Sequence, residues 1–188
     1  AKLLSYYFNA ISEELIGVED LRKDRDMSVQ VLAQAYEIYQ NLLKDENAMD
    51  FSSIQVIAYN LLKENEAVRT KIQENIQYVM IDEYQDTNYV QEQLIFTIVE
   101  KHHNLCVVGD DDQGLYRFRG ATIRNILEFP NKWDHCAQFN LVENYRSEKD
   151  IVRFYNDWMQ DTEEGEFEWG NFRFEKTIKP SKPNQVDG

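Results

Sequence analysis

Apolar side chains recur at helical spacing through residues 1–75 of the chain. Because positions i, i+3, i+4 and i+7 fall on one face of an α-helix, each stripe predicts a helix with one buried side. A charged stretch from Gly17 to Met27 separates the first stripe from the second. We expect an all-helical N-terminal subdomain whose stripes form its core. The stripes are Leu4, Tyr7, Phe8, Ile11 and Leu15; Leu32, Ala35, Tyr39, Leu42 and Leu43; and Ile54, Ile57, Ala58, Leu61 and Leu62.

From Gln77 onward the pattern changes to short apolar runs, each followed by polar residues. The runs lie at residues 78–81, 105–108 and 137–142, with helical spacing between and after them. A short apolar run that ends in a polar turn is typical of a strand buried in a parallel sheet. The alternation of strands and helices predicts an α/β fold, with a partial parallel sheet and flanking helices preceded by the helical subdomain.

Towards the C-terminus the pattern predicts two further helices and then a linker. A short helix from about Thr122 should end at Pro130, because proline cannot continue a helix. A second helix after Ser147 carries the apolar residues Ile151, Phe154, Tyr155, Trp158 and Met159. Residues 161–170 hold five acidic and no basic side chains, a composition typical of a solvated, partly disordered segment.

Polar clusters follow all three predicted strands, at residues 82–86, 109–113 and 144–147. In open α/β sheets, ligands bind in the crevice beyond the carboxyl ends of the strands. The paired carboxylates of Asp82 and Glu83 suit Mg²⁺, which takes one or two carboxylates and completes its shell with water and phosphate oxygens. A carboxylate that does not hold the metal can orient or deprotonate water.

The remaining groups in these clusters are also suited to phosphoryl transfer. The guanidinium of Arg146 can neutralise charge on a transferring phosphoryl group. The amides of Gln85 and Gln113 carry both donors and acceptors, as needed to sense a phosphate or position water. Each residue alone is more typical of a solvated turn or a surface ion pair, and the functional interpretation depends on their joint arrangement.

Composition narrows the range of functions. The net charge of −14 lacks the basic footprint of a free-standing nucleic-acid-binding protein, so DNA contacts must come from a local patch or from other segments. Cys106 and Cys136 have neither CxxC spacing nor a histidine cluster, and they are typical of reduced thiols in a cytoplasmic protein. The apolar runs are far shorter than a membrane span.

The three polar clusters resemble motifs of the UvrD/Rep/PcrA-like superfamily 1A DNA helicases. Residues 82–88, DEYQDTN, resemble the Walker B box of that family, and residues 108–121, VGDDDQGLYRFRGA, resemble its motif III. Residues 144–147, NYRS, resemble its motif IV. The motifs occur in the family's order and close to its spacing, and the resemblance covers about residues 30–160.

The resemblance implies a role for each nucleotide-site residue in the first two clusters. Asp82 would bind Mg²⁺ of Mg-ATP, with Glu83 beside it as a second carboxylate at the metal. Glu83 would also activate the attacking water as a catalytic residue. Gln85 and Gln113 would link the state of the γ-phosphate to domain movement.

The resemblance also implies roles for the third cluster and for the end of motif III. Tyr145 would stack on the adenine, and Arg146 would contact the γ-phosphate during catalysis. Tyr116, Phe118 and Arg119 would contact single-stranded DNA. Aromatic faces stack on bases without sequence preference, and arginine pairs with phosphate, which supports this last assignment.

The family's architecture divides the chain into three expected parts. Residues 1–75 would be the later part of a helical accessory subdomain of the 1B type. Residues 76–147 would form an incomplete RecA-like ATPase lobe, and residues 148–188 the start of a second lobe with an acidic tail.

The family's phosphate loop, GxxxxGK[ST], is absent from these residues. That loop supplies the backbone N–H groups and the lysine that hold the β- and γ-phosphates. We therefore interpret the chain as an internal fragment that is inactive alone. Its parent would couple hydrolysis of ATP with Mg²⁺ to 3'–5' movement on single-stranded DNA or at duplex junctions.

Two alternatives remain open at the level of sequence. The chain fits a natural helicase-like interaction module that has lost its ATPase function, since it is acidic and lacks the phosphate loop. It also fits the motor part of a helicase–nuclease of the RecB or AddA kind, whose motor lobes share these motifs.

Overall fold

Five helices occupy the N-terminal region that the apolar stripes predicted to be helical. The computed structural model describes residues 2–113, 124–160, 174 and 176–182. The chain divides into two units, residues 1–126 and residues 127–188. The N-terminal helices of the first unit are α1 (Lys2–Glu13), α2 (Val18–Arg22), α3 (Met27–Asp45), α4 (Phe51–Glu64) and α5 (Glu66–Asn75).

Side-chain caps define where three of these helices begin. Asp26 precedes α3 and accepts from the Ser28 backbone N–H over 2.8 Å. Asp50 and Ser53 form a reciprocal capping box before α4, and Asn65 caps α5. Such caps satisfy backbone N–H groups that lack a partner inside the helix. They explain the start of α5, which the apolar pattern alone did not predict.

The core of the helical subdomain is smaller than the stripes predict. Phe8, Ile11 and Tyr36 form a buried cluster, and the Ser12 and Tyr36 hydroxyls lie 2.7 Å apart within it. The third stripe does not follow the prediction. Leu62 is buried, but the apolar face of α4 formed by Ile54, Ile57 and Leu61 is exposed within this chain. Leu4 and Tyr7 of the first stripe and Leu42 of the second are exposed as well. Assigning each stripe as a whole to the core was therefore wrong for the described residues.

The first two predicted strands are present and pair in parallel. Strand β1 (Val79–Ile81) lies beside β2 (Leu105–Val107), and helix α6 (Tyr89–Val99) connects them in the sequence. Met80 is paired with Cys106 in the register. Both side chains are exposed, Met80 by 78%, whereas the alternate residues are partly buried. A parallel sheet is normally covered on both faces, whereas the face of this pair that carries Met80 and Cys106 is exposed in the part of the chain that the structure describes.

A buried polar pair anchors the turn after β1 to helix α6. The Tyr84 hydroxyl donates to Glu92 Oε1 over 2.8 Å, and both side chains are fully buried. Asn88 begins α6 with a capping box to Gln91, and its amide donates to Gln55 of α4 over 3.1 Å. The turn, α6 and α4 are thus joined by polar contacts as well as by packing.

The second unit contains a separate small sheet. Helix α7 (Arg124–Glu128) precedes a 3₁₀ turn at Phe129–Lys132 that contains Pro130, where the short helix was predicted to end. Strand β3 (Glu143–Asn144) pairs in parallel with β4 (Lys179–Pro180), and helix α8 (Lys149–Gln160) lies between them in sequence. The start expected near Thr122 and the linker expected at residues 161–170 fall outside the described residues.

The third predicted strand is wrong in its position. Residues 137–142 form no strand, and β3 begins immediately after them. Phe139 and Leu141 are highly exposed, so the apolar side chains of this run gain no burial that would favour a strand there. Among the described residues β3 pairs with β4 alone, and the single parallel sheet that the pattern predicted is observed as two two-stranded sheets.

Removing the Tyr84 hydroxyl should weaken the first unit. Tyr84→Phe leaves the buried Glu92 carboxyl without that donor, which should lower the free energy of unfolding by about 1–3 kcal/mol. Burial and the bond to Glu92 raise the pKa of Tyr84. The unfolded chain loses this proton near pH 10, whereas the folded chain keeps it, so stability should fall as pH rises above about 10.

Chemical denaturation at several pH values checks this prediction. The phenylalanine variant should show a shallower loss of stability above pH ~10 than the wild type. Tyr39, whose pKa the hydrogen bond to Asp50 raises to about 12, is present in both proteins and so cancels in the comparison. Equal slopes would contradict the assignment to Tyr84.

Candidate functional site

The polar loops after β1 and β2 lie together at one end of the strand pair. The backbone bond from Val108 N to Ile81 O extends the ladder at 2.8 Å, and Tyr84 N donates to Val108 O at 2.9 Å. Because parallel strands end on the same edge, these bonds place residues 82–86 beside residues 108–113. The first two predicted clusters are therefore brought together by the fold.

Glu83 sits in a conformation that is rare for its residue type. Its backbone has φ 53° and ψ 43°, in the left-handed helical region. That region costs a non-glycine residue on the order of 1–2 kcal/mol. The Glu83 N–H donates to Asp82 Oδ1 over 3.0 Å, and Glu83 O accepts from Asp86 N over 2.9 Å. This turn leaves the side chains of Asp82 and Glu83 exposed at the strand end.

Gln85 lies beneath the two loops and is only 1% exposed. Its Nε2 donates to Glu83 Oε2 over 2.6 Å, and its Oε1 accepts from the Asp110 backbone N–H over 3.0 Å. Both ends of the amide are thus engaged within the protein. The contact with nucleotide state that the resemblance implied for Gln85 stays a prediction.

Gly109 provides the space that this arrangement needs. A Cβ atom on Gly109 would lie 2.6 Å from Gln85 Oε1 and 2.7 Å from Ile126 Cδ1. Both distances are well below van der Waals contact, so any larger residue would displace its neighbours. The glycine after β2 is explained by close packing.

Gln113 joins the same network through Asp110. Gln113 Nε2 donates to Asp110 Oδ2 over 2.8 Å, and Gln113 N donates to Asp110 O over 3.0 Å. Asp112 N donates to Asp110 Oδ1 over 3.2 Å. Sequence reasoning did not single out Asp110. Asp110 lies in the polar cluster at residues 109–113 and in the stretch that resembles motif III, but neither assigned it a role of its own.

The exposed carboxylates of Asp82 and Glu83 are compatible with a magnesium ion. Among the residues that the structure describes, no three His, Cys, Asp or Glu side chains are grouped as metal ligands. A protein cage is therefore not formed there. One or two carboxylates with open sides are the donor set that Mg²⁺ uses when phosphate and water complete its shell.

The third cluster lies in the second unit. Asn144 Oδ1 accepts from the backbone N–H groups of Arg146 and Ser147, over 2.9 and 2.8 Å, and this Asx-type turn follows β3 directly. The side chains of Tyr145 and Arg146 are exposed. Tyr116, Phe118 and Arg119, the predicted DNA contacts, lie outside the described residues.

Comparison with known proteins identifies the family. Residues 1–134 match the model of the UvrD/REP helicase N-terminal domain, and the chain belongs to this family. It is 38% identical over 148 residues to a protein named ATP-dependent DNA helicase PcrA from Staphylococcus epidermidis, covering 78% of this chain and 20% of the relative. The PcrA protein of Staphylococcus aureus is 37% identical over 155 residues, covering 82% and 21%. The chain thus spans about one fifth of the length of these curated relatives.

The described helices include none with the length and apolar character needed to cross a membrane.

A methyl group at Gly109 should disrupt the site from within. Gly109→Ala places its Cβ against Gln85 and Ile126, and such overpacking should lower the free energy of unfolding by about 1–3 kcal/mol. Gly17→Ala is the matched control, because its Cβ would meet only the flexible end of the Asp20 side chain, at 3.0 Å. Urea denaturation of both variants measures the difference. Equal losses would show that the close packing around Gly109 is not specific.

Proposed function

We propose that this chain is part of the motor of an ATP-dependent DNA helicase of the UvrD/Rep type. The longer protein, termed the parent below, would couple hydrolysis of Mg-ATP to 3'–5' movement on single-stranded DNA. The observation that carries the proposal is that Asp82 and Glu83 on one loop, and Gln113 on the next, follow two paired parallel strands at the same end. The family match and the names of the relatives support it.

The first unit would act on the phosphates of ATP. Asp82 would hold Mg²⁺, with Glu83 beside it as a second carboxylate, and the ion would neutralise charge on the phosphate oxygens. The Glu83 carboxylate would orient and deprotonate the attacking water. Gln113, exposed on the neighbouring loop, would contact the γ-phosphate or the water and respond to hydrolysis.

The remaining proposed roles fall to residues 144–147, the third cluster, and to residues 116–119. The exposed ring of Tyr145 would stack on adenine, and Arg146 would stabilise charge on the γ-phosphate. Tyr116, Phe118 and Arg119 would contact single-stranded DNA, including strands at duplex junctions. The net charge of −14 implies that the parent supplies further basic surface for the DNA backbone.

The architecture proposed for the parent is a RecA-like lobe preceded by an accessory helical subdomain. Two observations support a larger assembly around this chain. Among the described residues, the sheet face carrying Met80 and Cys106 and the face of α4 carrying Ile54 and Ile57 are both exposed. Such apolar surfaces are typical of contacts with further protein layers. A cytoplasmic location fits the two free cysteines.

An interaction module without ATPase activity is the second candidate. The absence of GxxxxGK[ST] and the acidic composition favour it. The retained arrangement of Asp82, Glu83 and Gln113 favours the motor. The coding DNA upstream of Ala1 distinguishes the two, because an in-frame GxxxxGK[ST] supports the motor and a start codon without that loop supports the module.

Glu83→Gln tests the catalytic assignment in the parent. Glutamine keeps an oxygen that accepts from Gln85 but cannot deprotonate water, so DNA-stimulated ATP turnover should fall by about 100-fold or more with ATP binding retained. Glu74→Gln is the control, since it makes the same charge change at an exposed helical position. Unchanged turnover in the Glu83 variant would show that another group activates water.

The 188-residue chain alone should bind ATP weakly. Without the phosphate loop its dissociation constant for Mg-ATP should exceed about 1 mM, as measured by isothermal titration calorimetry. Tight, stoichiometric binding would contradict the proposal that this chain carries only part of a nucleotide site.

A further inference from the structure

A chain of hydrogen bonds connects Glu83 to Gln113, the two side chains to which the proposed mechanism gives separate roles. It runs from Glu83 Oε2 to Gln85 Nε2 over 2.6 Å, from Gln85 Oε1 to Asp110 N over 3.0 Å, and from Asp110 Oδ2 to Gln113 Nε2 over 2.8 Å. We propose that Gln85 is a positioning residue that fixes the carboxylate of Glu83 to the loop carrying Gln113. This inference rests on the proposed function, and it assigns Gln85 a role that needs no contact with nucleotide.

The chemistry of the neighbours explains why an amide occupies this position. Ionised Glu83 offers only acceptors, and the Asp110 backbone N–H offers only a donor. An amide placed between them can donate to one and accept from the other. A flipped amide would set two acceptors against each other on one side and two donors on the other, so the partners fix its orientation.

Burial holds Gln85 in place. The Gln85 side chain is 1% exposed, so its own amide is shielded from water, where an unpaired polar group is costly, although its partner Glu83 is exposed. Gly109 lies against its Oε1, and the neighbouring Tyr84 is held by its own bonds to Val108 and Glu92. The close approach of Gly109 and the two hydrogen bonds therefore restrict the positions open to the Gln85 amide.

The network couples the loops mechanically. Gln113 is exposed, and under the proposed function it contacts phosphate or water, whereas Gln85 is buried beneath the loops. A shift of the loop after β2 moves Asp110, and through Gln85 it moves the Glu83 carboxylate. Glu83 also has an unfavourable backbone conformation. The bond from Gln85 Nε2 to its carboxylate helps to hold it there.

Amide hydrogen exchange on the 188-residue chain tests the bridge itself. In Gln85→Met the Asp110 N–H loses its acceptor, so its exchange should become about tenfold faster or more. In Gln85→Glu an acceptor oxygen remains, so Asp110 should keep most of its protection. Gln73→Met is the matched control, because Gln73 is also buried and donates to Thr97 O over 2.8 Å, far from Asp110 in the sequence.

Steady-state ATP hydrolysis by the parent tests the positioning role. Both Gln85 variants should lower kcat by about 10- to 100-fold, with KM for ATP changed much less, because the nucleotide contacts remain. A purely structural defect would raise KM as well as lower kcat, so the split between the two constants distinguishes positioning from loss of structure. Gln73→Met should keep the wild-type kcat.

Each outcome decides the inference. If Gln85→Met leaves exchange at Asp110 unchanged, or if Gln73→Met accelerates it equally, the bridge is overturned. If exchange changes but kcat of the parent does not, the bridge exists without a positioning role, and the inference fails. A wild-type parent with no ATP hydrolysis would overturn the proposed function instead, while the exchange experiment would still report on the bridge.

Discussion

The buried amide of Gln85 is the interaction on which the arrangement of the candidate site depends. It lies at the ends of the two paired strands. Its Nε2 donates to Glu83 on its own loop, and its Oε1 accepts from the backbone N–H of Asp110 on the loop after β2. The pairing of β1 with β2 brings the loops within reach, but backbone bonds alone do not orient side chains. Removing this amide would take one partner from the Glu83 carboxylate and one from the Asp110 backbone N–H, and the loss of a partner is costly where water does not replace it. The positions of the exposed Glu83 and Gln113 side chains therefore depend on the buried Gln85 beneath them.

Further buried hydrogen bonds connect the loop that carries Gln85 to the helices. Tyr84, next to Gln85, bonds to Glu92 within α6, and Asn88 at the start of α6 bonds to Gln55 in α4. Polar groups buried in this way specify position more narrowly than apolar packing does, because each needs a partner at a fixed distance and angle. The first unit thus combines well-placed polar anchors with apolar faces that remain open to solvent.

The sequence predicted what depends on local pattern and missed what depends on distant partners. The helices with strong stripes and the strands at 79–81 and 105–107 follow from periodicity, and the meeting of Asp82 with residues 109–113 follows from parallel pairing. The strand expected at 137–142 did not form, because a short apolar run becomes a strand only where another element pairs with it and buries it. The exposed face of α4 has the same origin, since periodicity marks an apolar face but not the surface that covers it.

The hydrogen bond between Gln85 and the Asp110 backbone N–H could not be predicted from the sequence either, for a different physical reason. A glutamine in an acidic turn is typical of a solvated side chain or a ligand contact. Only the folded structure, in which Gln85 is 1% exposed and Gly109 lies against its Oε1, shows that it is buried. The left-handed backbone of Glu83 adds to this picture, because an unfavourable conformation persists only where surrounding contacts over-determine it. Here those contacts are the 3₁₀ turn at Tyr84–Asp86, the bond from the Glu83 N–H to Asp82, and the bond from Gln85 to the carboxylate. Glu83 has both the unfavourable backbone conformation and the side-chain bond to Gln85 that helps to hold it. A substitution that breaks this bond therefore also removes part of what keeps the Glu83 backbone in the left-handed region.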